Sequence, residues 1–459
     1  MERTLIRHAH VVSLDAAVGD LRDAEILIEG DAIAAIGHDL GVTDAAAIDA
    51  RGAIAIPGFV DTHRHTWEAV LRGIEADATL ADYFDVVLDT LAPKYRPDDV
   101  HAGNLLGALD ALDGGITTLL DWSHISNTPE HSDEAIRALR DAGLRAVYCC
   151  GTPNTSVATW WTDSAQPAQD DVRRIRAEQL SDDSGLITMS LAARGPGFCL
   201  PEVVAHDWRL ARELAIPISV HVGFGPAVHR FEMVKRLHEQ RLLGPDTTYI
   251  HGNLCDDEEL RLIADSGGTT SIAPTVEMLM GHGLPPAARM LAHGLRPSLS
   301  IDVVTGSPGD MFSQMRTLLA TERALVHDRL LRAEEGRLHD DSPPQAPLLS
   351  ARQVLEFATI EGARACGLDR RIGTLTPGKQ ADVVLIATDR PNTWPVIDPV
   401  ATVVCSADTG NVETILVAGR VVKRDGRLVR DDWTQVRDAA TAASARLLPH
   451  ASGCTAHAH

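Results

Sequence analysis

A chain of 459 residues, 44% hydrophobic and 23% charged, is long enough for one large domain with a smaller companion, and its composition excludes wholesale disorder. Lys+Arg total 42 against Asp+Glu 64, a formal charge of -22; so acidic a surface repels phosphate backbones and anionic bilayers, which excludes nucleic acid and membrane as expected partners. Aromatics supply only 4%, so the core has to come from Ala, Val, Leu and Ile.

The chain opens with short strand-like runs, Leu5-Ile6, Val11–Leu14, Ile26–Ile28 and Ile33–Ile36, parted by turn residues such as Glu29-Gly30-Asp31. They predict a small antiparallel sheet. Ala53–Asp61 predicts a further strand, and from there the rhythm changes. Ile116–Asp121, Ala146–Cys150, Leu186–Ala192, Ile218–His221, Thr248–His251, Thr270–Ala273 and Leu299–Asp302 alternate with helical patterns such as Ser132–Ala142 and Pro201–Leu214. Counting Ile54–Asp61, eight β/α units predict a closed (β/α)8 barrel. A doubly wound sheet is the rival, but its glycine fingerprint is missing. The tail returns to strands at Asp382–Ile386, Val403-Val404 and Val412–Val422, with Asp425-Gly426 as a hairpin turn and a last helix near Trp433–Leu447.

The expected fold is therefore α/β: a (β/α)8 TIM-like barrel over residues 57–365, and a small β-sandwich domain built from both chain ends, 1–56 and 366–430. Residues 431–459 are expected to form a C-terminal helix and a flexible tail. Seven cysteines without a CxxC read as buried apolar groups in a reducing compartment. Neither a signal-like apolar run nor a membrane-length stretch stands out, so a cytoplasmic location is expected.

Polar residues at the C-terminal ends of barrel strands are where such folds keep their chemistry. The first expected strand ends in Asp61-Thr62-His63-Arg64-His65, later ones in His221, His251 and Asp302. In an extended strand, residues two apart point the same way, so His63 and His65 can bind one ion together. Imidazoles plus a carboxylate at four strand ends suit a borderline divalent cation.

The run Pro57–His65 resembles the first-strand motif of the amidohydrolase superfamily, and Ile372–Leu385 is similar to that family's return into its small β domain. The likeness extends from Leu5 to about Val429 and is greatest to the cytosine deaminase, chlorohydrolase and guanine deaminase branch. It implies one divalent metal, zinc ahead of iron, held by His63, His65, His221 and Asp302. Asp302 would also be the catalytic base, and His251 would polarise the substrate. Two-metal relatives use a carboxylated lysine from a mid-barrel strand. The only lysines here are Lys94, Lys235, Lys379 and Lys423, none suitably placed, so a single metal is expected. A small-molecule substrate is implied, and a homodimer or larger homo-oligomer is open.

One departure is chemical. Deaminases of this branch carry a glutamate three residues after the fifth-strand histidine, and here that position is Phe224. A phenyl ring moves no protons. The expected activity is thus metal-dependent hydrolysis of a non-peptide C–N bond, as in a cyclic amide, an imide or a related N-heterocycle. The first alternative is deamination of an aminated heterocycle, with Glu68 or Glu277 replacing the shuttle. Displacement of another leaving group, as by a lyase or chlorohydrolase, is a further alternative, and a non-catalytic metal-containing binder the last. Trp67, Glu68, His124, Arg194, Phe224 and Glu277 are the candidate substrate contacts. Trp160-Trp161 could add an aromatic wall.

Overall fold

The computed structural model describes residues 2–225, 228, 230–333 and 348–448. Five strands come first: β1 (Arg3–Val12), β2 (Asp20–Glu29), β3 (Ala32–Gly37), β4 (Ala46–Asp49) and β5 (Ala53–Pro57). Eight follow at wider spacing: β6 (Phe59–Arg64), β7 (Ile116–Ser123), β8 (Arg145–Cys150), β9 (Ile187–Ala193), β10 (Ile218–Val222), β11 (Thr247–His251), β12 (Thr269–Ile272) and β13 (Ser298–Leu299). The last are β14 (Val383–Ala387), β15 (Val412–Val417), β16 (Arg420–Arg424) and β17 (Arg427–Leu428).

β6 to β13 form an eight-stranded sheet in sequential order, each neighbouring pair parallel. Asp302 N donates to His63 O, and His65 N to Asp302 O, each at 2.8 Å. These bonds tie the segment after β13 to β6, as a (β/α)8 barrel requires. Within the barrel, Thr62 Oγ1 lies 2.7 Å from Ser271 Oγ and 2.8 Å from Ser298 Oγ, so buried hydroxyls satisfy one another.

β1–β5 and β14–β17 form one nine-stranded sheet drawn from both ends of the chain. Ile54, Ile56, Val384, Ile386, Ile415 and Val417 join the barrel's core. Their neighbours Ala53, Ala55, Val383, Leu385 and Leu416 join a second core with Ile6, Val11, Ile26 and Ile28. Successive strand residues point to opposite faces, so the sheet is buried on both sides and folds over its own second core, as a sandwich does.

Three expected elements differ. The run Ala53–Asp61 is two strands in two sheets, β5 and β6, broken at Pro57-Gly58. A Cβ on Gly58 would stand 2.0 Å from Thr117 Oγ1, so only glycine allows the crossing. Val403-Val404 lies in a π-helical turn, Thr402–Ser406, because Asp398 accepts from the N–H groups of Val400 and Ala401 and starts a helix there. Val412–Val422 is split into β15 and β16 at Ala418-Gly419, both with positive φ. The Asp425-Gly426 turn joins β16 to β17 with φ of 51° and 72°, as a two-residue hairpin prefers. The last helix spans Trp433–Leu447, and residues 449–459, the expected tail, lie outside the described residues. No helix among the described residues is long and apolar enough to cross a membrane.

Candidate active site

His63, His65, His221, His251 and Asp302 all stand at the C-terminal rim of the barrel, on or just after β6, β10, β11 and β13. His63 Nε2 is 3.1 Å from His221 Nε2 and 3.2 Å from Asp302 Oδ1. His65 Nε2 is 3.3 Å from the same oxygen, and His251 Nε2 is 3.8 Å from Asp302 Oδ2. The extended backbone thus turns His63, in β6, and His65, just after it, to one side, where the other strand ends meet them. His251 and Asp302 have φ of 73° and 67°, a left-handed conformation that costs a non-glycine residue ~1–3 kcal/mol. It is held at Asp302 by the two backbone bonds to β6.

His63, His65 and Asp302 offer ligand atoms within 4.8 Å of one another, and so do His63, His221 and His251, so His63 links two sets of donors suited to a divalent ion. Ligands about 2.0–2.2 Å from a tetrahedral centre stand about 3.3–3.6 Å apart, close to the spacings of 3.1, 3.2 and 3.3 Å found here. His65 Nδ1 lies 2.9 Å from Trp122 O. That bond puts the proton on Nδ1 and leaves the Nε2 lone pair facing the centre. Burial lowers the His63 pKa to about 4, which favours the neutral imidazole a metal needs. Burial alone would raise Asp302, but hydrogen bonds with His63 and His65 hold it well below the usual carboxylate range.

A second layer sets these groups. Glu277 Oε1 takes His251 Nδ1 at 3.1 Å and Ala273 N–H at 2.8 Å, and its Oε2 takes Asn253 Nδ2 at 2.8 Å. Glu277 is thereby engaged behind His251. Tyr83 OH donates to Glu68 Oε1 at 2.6 Å and lies 3.3 Å from His124 Nε2. Trp67 Nε1 donates to His124 Nδ1 at 3.3 Å. Burial pushes Glu68 up to about 8. Arg194 Nη1 donates to Trp160 O and Ser164 Oγ, both at 2.9 Å, its Nη2 bonds to Gln166 O, and its guanidinium covers the Trp160 ring. The expected substrate cation is instead a clamp on the loop after β8, because three acceptors of that loop surround it.

The cavity over the cluster is walled by Leu80, Tyr83, Phe84, Leu88, His124, Trp161, Phe198, Phe224, Met280, His282 and Val303, with His65, His221, His251 and Asp302 at its base. Of the candidate substrate contacts, His124 and Phe224 line it. Trp67, Glu68, Arg194 and Glu277 stand behind the lining. Tyr83 and Phe84 went unpredicted because they come from a long excursion after β6, far from any strand end. His282 follows β12 in the same segment as Glu277, and a search for polar residues after strand ends extends to it.

The amidohydrolase family profile matches residues 54–422. The chain is 30% identical over 443 residues to a 5'-deoxyadenosine deaminase of Methanothermobacter thermautotrophicus, covering 95% of this chain and 96% of that one. It is 28% identical over 465 residues to a 5-methylthioadenosine/S-adenosylhomocysteine deaminase of Symbiobacterium thermophilum, covering 98% and 100%. Its fold is similar to that of an adenosine deaminase from Xanthomonas campestris solved with bound zinc, with a TM-score of 0.84, 21% identity and coverage of 97% and 98%.

Proposed function

The chain belongs to the amidohydrolase family, as a metal-dependent hydrolase of carbon–nitrogen bonds other than peptide bonds, and from that premise we propose that it is a mononuclear aminohydrolase. Its substrate is an aminated N-heterocycle, with 5'-modified adenine nucleosides the first to try. The observation that carries this reading is the cluster of His63, His65, His221, His251 and Asp302, of which all but His63 line the base of one cavity. The two relatives described above are both deaminases, and they favour loss of an exocyclic amine over the ring opening that Phe224 suggested.

His63, His65, His221 and Asp302 would hold one divalent ion, zinc ahead of iron, whose Lewis acidity makes water a nucleophile near neutral pH. Asp302 Oδ1 faces His63 and His65, which leaves Oδ2 on the His251 side to accept a proton from the attacking water. Glu277 fixes the His251 ring with Nε2 toward the cavity, beside Asp302 Oδ2 and the reacting groups. Phe224, Phe198 and Trp161 give a planar ring apolar walls.

The test is ammonia release by zinc-loaded protein from a panel of aminated heterocycles, with cyclic amides and imides followed in parallel for ring opening. Ammonia from an exocyclic amine supports the reading. Ring opening without ammonia overturns it.

A further inference from the structure

His282 is a buried imidazole in the cavity wall, and neither ring nitrogen has a hydrogen-bond partner among the described residues. Buried polar groups are nearly always satisfied, so two bare nitrogens facing a cavity point to a ligand that completes them. The backbone around the ring is tightly held. His282 N donates to Glu277 O at 2.8 Å, and Gly225 N donates to His282 O at 2.9 Å. Gly281 and Gly283 flank it with φ of 78° and 140°, and a Cβ on Gly283 would stand 2.8 Å from Asn253 Cβ. Gly283 admits only glycine and Gly281 favours it, and the turn presents the ring in one place. That place is beside the reacting groups. The His282 ring centroid lies 4.7 Å from that of His251 and 5.4 Å from that of Phe224. One nitrogen of His282, one of His251 and one oxygen of Asp302 lie within 4.8 Å of one another. Phe224 brings no proton-carrying group to this side, and its loop is bonded to His282 through Gly225.

We propose that His282 is a catalytic residue that contacts the substrate ring nitrogen next to the attacked carbon and relays a water proton to it. The inference rests on the aminohydrolase reading. Water oxygen bonds to the ring carbon while the C=N electron pair moves to the ring nitrogen. One water proton reaches that nitrogen through His282. The other reaches the exocyclic amine through Asp302, the C–NH2 bond breaks, ammonia leaves and a ring carbonyl forms. His282 ends as it began, and no oxidant or reductant enters.

The test compares the zinc-loaded wild type with His282→Ala, His282→Gln and His282→Ala combined with Phe224→Glu, using whichever aminated heterocycle the wild type deaminates. Both single variants should lose kcat by ~100-fold or more, with one metal per chain and an unchanged melting temperature. Free imidazole should restore part of the kcat of His282→Ala, and Phe224→Glu should raise it about tenfold or more by returning a proton carrier to the same side. His282→Gln fills the same space and decides the matter should the alanine variant not fold. A kcat within about threefold of wild type overturns the proposal, as does a change in KM alone. Loss of a second metal ion from the variants also overturns it, since His282 would then be a ligand. A wild type that releases no ammonia from any of the panel overturns the aminohydrolase reading, and this inference with it. Wild-type turnover left intact in the His282 variants overturns this inference alone.

Discussion

Asp302 serves three histidines with two oxygens: Oδ1 meets His63 and His65, and Oδ2 faces His251. Asp302→Asn keeps the shape and removes the base. Its kcat should fall by ~100- to 10,000-fold, with the three histidines still retaining metal, as kinetics and metal analysis on one preparation will show. Glu277→Ala frees the His251 ring behind the site. Activity should drop by ~10- to 100-fold while metal content stays at the wild-type level, a split that separates an orienting residue from a ligand. The residues proposed to hold the metal were readable as a cluster, because a small ion needs several donors at one rim and strand ends supply that rim. The reach of long side chains was not readable. Arg194 is held by the acceptors of its own neighbourhood, at Trp160, Ser164 and Gln166, and no local pattern announces those.

Between β6 and β7 the chain leaves the barrel and returns with part of the cavity wall. A short helix, Leu80–Tyr83, and the π-helical stretch Phe84–Leu91 bring Tyr83, Phe84 and Leu88 over the site. The helix Pro97–Asp113 then presses on the 3-10 turn Thr66–Leu71. A Cβ on Gly103 would stand 2.2 Å from Trp67 O, and one on Gly107 would stand 2.8 Å from Thr66 O. Gly103→Ala should therefore cost ~1–3 kcal/mol of stability, seen as a lowered melting temperature. Activity should fall as well, because Trp67 backs His124 in the cavity wall. At this scale strand existence and order were legible, since each barrel strand is a buried apolar run bounded by helical pattern. Boundaries were less so. Pro57-Gly58 reads as a point inside one strand until Thr117, which would lie 2.0 Å from any Cβ on Gly58, shows why it is a crossing.

The two units share one interface. Strands β5, β14 and β15 turn one face to the barrel core, and Arg145 of β8 meets Asp382 just before β14 through two bonds at 3.0 and 3.1 Å, both side chains buried. Asp382 also accepts the Ala418 N–H at 2.7 Å. Asp382→Ala strands a buried guanidinium and should cost ~3–5 kcal/mol, measurable by equilibrium denaturation. That the two ends of the chain meet was legible, because short strands at each end need partners that neither end supplies alone. The pair Arg145–Asp382 was not, since its members lie 237 positions apart and only the closed fold brings them together. At the level of the whole molecule, the proposed function makes all turnover depend on a single metal site at the barrel rim. The most direct measurement is a zinc titration of chelator-stripped protein, following ammonia release from an aminated heterocycle as metal is added. Activity should be absent without metal, rise in proportion to zinc and stop at one ion per chain. Full activity in the stripped protein, or a rise that continues to two ions per chain, would contradict it.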